Sequence, residues 1–186
     1  MRADAERMIA TALERFGAVD ALCNIAGIVD RLLPAGEVTD EVWDRVIRVN
    51  LTGPMYTMRA AIAAMSSRGG SIVNVSSVGG LFGLRGGAAY AASKHGLIGL
   101  SKNAAAAYAR DRIRVNAICP GAVDTGISLG GQPSARGLEA LNRTLPANPR
   151  AADAKEIASL IAFLVSDEAS FINGSAIVID GGWTAG

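Results

Sequence analysis

The feature that most constrains this chain is a regular alternation. Four short apolar runs, residues 19–25, 71–76, 114–119 and 176–179, are separated by longer stretches with helical spacing. Strands that alternate with helices predict an α/β fold, because two neighbouring parallel strands can be joined only by a crossover, usually a helix. Such crossovers cover both faces of the sheet, and the continuous hydrophobicity of the four runs is what double burial demands. At 186 residues the chain suits one domain, and it shows no internal repeat, low-complexity tract or linker.

The intervening stretches can be placed by their apolar spacing. Residues 3–16 carry Met8, Ile9, Ala12, Leu13 and Phe16 on one helical face and stop at Gly17. Thr39 reads as an N-cap, with Asp40 and Glu41 complementing the first-turn dipole. That helix runs toward Asn50, and a second, 51–67, follows with little or no break. Residues 90–109 and 151–165 are the remaining long helices. The glycines at 79, 80, 83, 86 and 87 make the loop after the second strand too flexible for a packed element. Residues 126–150 form a second long loop, rich in glycine and proline around a short helical piece at 138–145. A loop of that length inside a compact domain is functional or mobile.

Composition excludes several classes. Half the residues are hydrophobic and 19% charged, which is globular rather than disordered. A net charge of +1 offers no basic excess for nucleic acid. The longest aliphatic stretch, 157–165, is far short of the ~20 residues of a membrane span. The N-terminus carries acids and no apolar core, unlike a signal peptide. The two cysteines, Cys23 and Cys119, fall inside predicted buried strands and read as reduced core residues, which places the protein in the cytoplasm.

The chemistry concentrates between Ser77 and Lys94. Tyr90 and Lys94 stand four residues apart in an alanine-rich helix and so share one face. A phenol titrates near ~10, and a neighbouring ammonium is expected to pull that value down. Ser77, at the end of the second apolar run, can donate a hydrogen bond to a substrate oxygen beside the phenol, although a strand-end serine is also an ordinary turn residue. Together the three can move a proton to or from an alcohol or carbonyl. His95, the lone histidine, points about 100° away from Lys94 around the helix and stays outside this chemistry. Gly27 lets the backbone pass close to a ligand, or simply turns the chain.

The set Asn24-Ile25-Ala26-Gly27, Asn50, Ser77, Tyr90-x-x-x-Lys94 and Pro120-Gly121-Ala122-Val123-Asp124-Thr125 resembles the short-chain dehydrogenases/reductases, in the family's order and over essentially the whole chain. The resemblance implies a Rossmann-like parallel sheet and an oxidoreductase that moves hydride between NAD or NADP and a secondary alcohol or ketone. It implies catalytic roles for Asn50, Ser77, Tyr90 and Lys94, with Asn50 anchoring a water in a proton relay. It assigns cofactor contacts to Asn24, Ala26, Gly27, Tyr90, Lys94, Pro120, Gly121, Val123 and Thr125, makes 126–150 the substrate lid, and calls for no metal. The helices from Leu51 and Tyr90 resemble those with which the family assembles, so a homo-oligomer, dimer or tetramer, is implied.

One departure stands out. A Gly-rich turn between a first strand and helix is missing, and residues 125–132 mimic it only in text, with Gln132 in place of the last glycine and at a late position in the chain. The first helix corresponds to the family's third, so the first β-α units, roughly 60 residues at ~30 per unit, are expected to be absent. The run after residue 20 would then be a sheet edge. The alternative to an active dehydrogenase is therefore an inactive paralogue that works through subunit assembly; epimerisation or dehydration with a bound cofactor is a third possibility.

Overall fold

The computed structural model describes residues 2–185. Its elements are α1 (Arg2–Phe16), β1 (Ala21–Asn24), α2 (Asp40–Ile47), α3 (Gly53–Met65), β2 (Gly70–Val75), α4 (Ala88–Ala107), β3 (Ile113–Pro120), β4 (Val123–Asp124), α5 (Ala135–Asn142), β5 (Ala152–Asp153), α6 (Ala154–Val165) and β6 (Ala176–Ile179). Strands β1, β2, β3 and β6 form one all-parallel sheet in that spatial order. The α/β reading with helices on both faces holds.

The two faces follow from strand parity. Leu22, Ile72 and Val115 are in register across β1, β2 and β3. They pack in one cluster with Ile9 of α1, Met58, Ala61 and Met65 of α3, and Ala104 and Ala105 of α4. One residue on, Val73 faces the other way and joins Ile118 beneath Ile157 and Leu164 of α6. On α3 the buried positions Pro54, Met58, Ala61 and Met65 recur at helical spacing, which is why this segment folds as it does.

Three expectations need correction at the sheet's margin and in its loops. Cys23 is exposed while Cys119 is buried. Cys23 pairs in register with Val73 on the α6 face, but α6 packs over β2 and β3 and leaves the edge strand β1 uncovered. On the opposite face α1 packs against α3 and buries only Ala5 and Ile9, so its predicted apolar face leaves Met8, Leu13 and Phe16 exposed. The helix expected at 138–145 begins at Ala135, three residues earlier than its apolar spacing suggests, because the Ser134 hydroxyl caps it by accepting from the Gly137 amide at 3.1 Å.

Two small features position the site. Residues Arg48–Thr52 form a π-helical turn joining α2 to α3, in which the Gly53 amide reaches back to the Arg48 carbonyl. Such turns rotate side chains out of the regular helical order, and this one turns Asn50 into the interior. The two-residue parallel ladder of β4 and β5 pairs Val123 with Ala152 and Asp124 with Asp153. It draws the two ends of residues 126–150 together, so this segment is a loop closed at its base. Among the described residues no helix is long and apolar enough to cross a membrane.

Candidate active site

The site gathers at the C-terminal ends of the strands, where open parallel sheets place their ligand crevices. Beyond β2 the chain enters a short 3₁₀ turn, Val78–Gly80, capped by Ser77, whose Oγ accepts from the Gly79 amide at 3.0 Å. Val78, Gly79 and Gly80 are buried. The first part of the glycine-rich loop is thus packed, contrary to expectation; its glycines serve close contact with α4 rather than mobility. Ser76 faces the other way and donates to the Lys94 carbonyl at 2.9 Å, which leaves Ser77 as the serine beside the phenol.

Tyr90 and Lys94 occupy successive turns of α4. Lys94 is 3% exposed, and its Nζ donates to the Val75 carbonyl at 2.8 Å while lying 5.6 Å from the Tyr90 ring centroid. Burial drives its pKa down to about 8. Tyr90 is the reverse of what its neighbour led us to expect. Its pKa is raised, first by burial and further by the charge of Asp30, while a hydrogen bond from Ser77 pulls the other way. Desolvation of the phenolate outweighs the hydrogen bond from Ser77.

Asn50 is fully buried and spends its carboxamide on neighbours. Its Oδ1 accepts from the Ile28 amide at 2.9 Å, and its Nδ2 donates to the Ile28 carbonyl at 2.8 Å and to Ser93 Oγ at 3.1 Å. Ser93 in turn donates to the Tyr90 carbonyl at 2.7 Å. Gly27 sits between the two polar groups. A Cβ there would stand 3.3 Å from Lys94 Nζ and 3.5 Å from Asn50 Oδ1, so glycine is what keeps the ammonium open to the crevice.

A cavity of about 470 Å³ is lined by Gly27, Ser77, Tyr90, Lys94, Pro120, Gly121, Val123 and Thr125, with Ile157 and Ile161 of α6 as an apolar wall. Eight of the residues singled out in the sequence therefore converge. Three do not line it. Asn50 lies behind Gly27. Asn24 and Ala26 border a separate groove along β1 and α1. The Asn24 amide donates to Asn74 Oδ1 at 2.8 Å and its Oδ1 accepts from Thr57 at 2.7 Å, so its side chain is committed to the interior. A second, more polar cavity of about 670 Å³ shares Gly27 and Ile127 and extends past Arg31 and Arg45. Residues 126–130 of the glycine-bearing stretch 125–132 line that second space; the stretch starts after the two-residue β4 and meets no helix before Ala135, so it is no strand–turn–helix phosphate loop.

Sequence reasoning missed Asp30 and Ser93. Asp30, 1% exposed, accepts from the amides of Gly87 and Tyr90. No local pattern links positions nearly sixty residues apart, so neither signal was available before folding. Ser93 was legible only as the residue before Lys94.

An open parallel sheet whose C-terminal crevice collects a serine and, one helical turn apart, a half-buried tyrosine and a buried lysine defines an α/β protein with a strand-end ligand crevice. A family profile described as enoyl-(acyl carrier protein) reductase matches residues 1–184. The chain is 46% identical over 187 residues to 3beta-hydroxysteroid dehydrogenase 2 of Eggerthella lenta, covering 99% of this chain and 72% of that protein. It is 44% identical over 181 residues to trans-4-hydroxycyclohexanecarboxylate dehydrogenase of Sinomonas cyclohexanicum, covering 96% and 65%. The crystal structure of a levodione reductase superposes with a TM-score of 0.89 at 37% identity, over 100% of this chain and 74% of that one. The chain belongs to the short-chain dehydrogenase/reductase family, an enzyme family of dehydrogenases and reductases.

Proposed function

We propose that the protein is an NAD- or NADP-dependent oxidoreductase that interconverts a secondary alcohol and a ketone. One observation carries the reading: Ser77, Tyr90, Lys94 and Gly27 line a single cavity whose far wall is apolar. The residues fit the sugar and nicotinamide end of such a cofactor. Lys94 spends one of its three N–H donors on Val75 and keeps the others beside the open backbone of Gly27. Pro120, Gly121, Val123 and Thr125 supply backbone and a hydroxyl to the nicotinamide side. For Asn24 and Ala26 only backbone contact at the cavity's rim is compatible with their surroundings. When bound, the nicotinamide supplies the hydride acceptor or donor.

The chain's own residues do the rest. In the oxidation direction Ser77 donates a hydrogen bond to the substrate oxygen, and Tyr90 takes the hydroxyl proton once it is a phenolate; its raised pKa favours the reverse direction, in which the neutral phenol donates that proton. Lys94 stabilises that phenolate electrostatically and holds the ribose. Asn50 faces the backbone of Ile28, where a water can pass the proton outward. Residues 126–150 close over the substrate as a lid hinged on the β4–β5 ladder. The relatives' names point to the substrate class: a hydroxyl on an alicyclic ring, as in a 3β-hydroxysteroid or a 4-hydroxycyclohexanecarboxylate. We place the enzyme in the cytoplasm as a dimer or tetramer.

The test is titration of the purified chain with NADH and NADPH by nucleotide fluorescence, followed by turnover of those two alcohols with the preferred oxidised cofactor. Saturable binding and turnover lost in Tyr90→Phe support the reading; a folded chain that binds neither nucleotide overturns it. A second reading, an assembly subunit without catalysis, is favoured by the exposed Met8, Phe16 and Ile25 beside the uncovered edge strand β1. It predicts a stable oligomer with no nucleotide binding.

A further inference from the structure

We propose that Asp30 is a positioning residue of this site, locking the first turn of α4 so that the Tyr90 phenol is delivered to Ser77. The inference rests on the reading of Tyr90 as the proton-transferring group, and goes beyond it by naming what holds that group in place.

A carboxylate that is 1% exposed must be paired or hydrogen-bonded to remain buried. Asp30 is satisfied by backbone alone: Oδ1 accepts from the Gly87 amide at 3.0 Å and Oδ2 from the Tyr90 amide at 2.9 Å. Those amides belong to the N-cap and third residue of α4, where the helix dipole favours a negative charge. An ordinary cap comes from the N-cap residue itself. Here that residue is glycine, and a Cβ on it would lie 2.4 and 2.5 Å from the two carboxylate oxygens. The helix thus leaves its own cap vacant for a group from another loop. The same loop fills a further donor, as the Ala88 amide bonds to the Leu33 carbonyl at 2.8 Å.

The loop also holds the other polar partner of the site, because Ile28, two residues before Asp30, grips Asn50 through both its backbone groups. One segment of six residues, 28–33, therefore sets Asn50 and Tyr90 relative to each other. A simple structural cap would stabilise α4 and have no influence on the phenol. Asp30 differs, because its charge also acts on the Tyr90 hydroxyl. The groups facing that hydroxyl are Asp30 from this loop, Ser77 from the turn after β2 and Lys94 from α4, with the Cys119 thiol of β3 behind Lys94. Arg85, the only charged side chain of the glycine-rich loop, turns away to stack on Trp183 at 4.7 Å.

The experiment follows the Tyr90 ring Cζ resonance by NMR in the 186-residue chain labelled at tyrosine, assigned with Tyr90→Phe. The titration midpoint is compared between the wild type and Asp30→Asn, which keeps the shape, removes the charge and leaves one of the two amides without its acceptor. The expected result is a lower midpoint in Asp30→Asn together with a displaced resonance at neutral pH. A folded Asp30→Asn whose Tyr90 titration matches the wild type overturns the proposal. If that variant does not fold, the wild type decides. A Tyr90 Cζ resonance that shifts with the same carboxylate titration as the Gly87 and Tyr90 amides supports the proposal, and a Cζ resonance unmoved by the titration that shifts those amides overturns it. None of these readings needs nucleotide or substrate, so failure of the dehydrogenase reading is detected separately.

Discussion

Asn50 closes its carboxamide on the backbone of Ile28, accepting at 2.9 Å and donating at 2.8 Å, and so joins the π-helical turn between α2 and α3 to the loop that leaves β1. The arrangement imitates one rung of a β-ladder, with a side chain in place of a strand. It holds the Gly27 end of that loop against Lys94.

Replacing Asn50 by alanine leaves the Ile28 amide and carbonyl without their partner in the interior. At about 1–3 kcal/mol for each buried unsatisfied group, the expected loss from the two is roughly 2–6 kcal/mol. Urea unfolding followed by circular dichroism measures it. An unchanged midpoint would show that the carboxamide contributes nothing to holding the loop.

Tyr90→Phe removes one oxygen and the hydrogen bond with Ser77 while keeping the ring. Turnover should fall by about 10²–10⁴-fold, the range supplied by a positioned acid or base. The helical circular dichroism spectrum should match the wild type. Activity within a few-fold of wild type would exclude Tyr90 as the group that moves the proton.

Lys94 makes stability depend on pH in a direction opposite to that of a surface lysine. Its folded pKa of about 8 lies below its ordinary 10.5, so between those values the unfolded chain holds a proton that the folded one has released. Stability should therefore rise from about pH 8 to 9, by at most about 1.4 kcal/mol per unit; above 9 the Cys119 thiol, pushed up to about 11 by burial, keeps a proton that the unfolded chain loses and offsets the gain. Tyr90, raised above 10, turns the trend down again above that pH. Lys94→Met should abolish the rising limb in unfolding curves taken at successive pH values; a rise that persists in the variant would mean another group titrates there.

Gly137 passes so close to Leu32 that a Cβ would stand 1.8 Å from its carbonyl oxygen, and the Ser134 amide is bound to the Arg31 carbonyl at 3.0 Å. Gly137→Ala must lift α5 off the 30–33 loop. Limited proteolysis should then cut within residues 126–150 several-fold faster, with thermal unfolding of the sheet little changed. Equal cleavage rates would mean that the lid is not seated by this contact.

The parts legible before folding were those with short-range causes. Each strand of the main sheet was marked by an apolar run. The Tyr90–Lys94 pair was marked by helical spacing and the start of α2 by the Thr39 cap. What escaped had long-range causes. Cys23 looked buried because its run was apolar, and only the lateral reach of α6 left it exposed. The glycine loop looked loose because glycine is locally permissive, yet its first turn is held by burial against α4. The sign of the Tyr90 shift was misread because sequence reveals a neighbouring charge but not the depth at which both groups are buried.

By itself, then, the sequence determined the α/β class, the order of its elements and the identity of the serine, tyrosine and lysine at the crevice, since periodicity and spacing encode these within a few helical turns. Only the tertiary structure decided which of the named residues share a cavity, that Asn24 is spent on Asn74 and Thr57, and that Asp30 reaches across sixty residues to cap the helix of Tyr90. Those outcomes depend on desolvation and on donor–acceptor distances between elements, and such quantities exist only once the elements have packed.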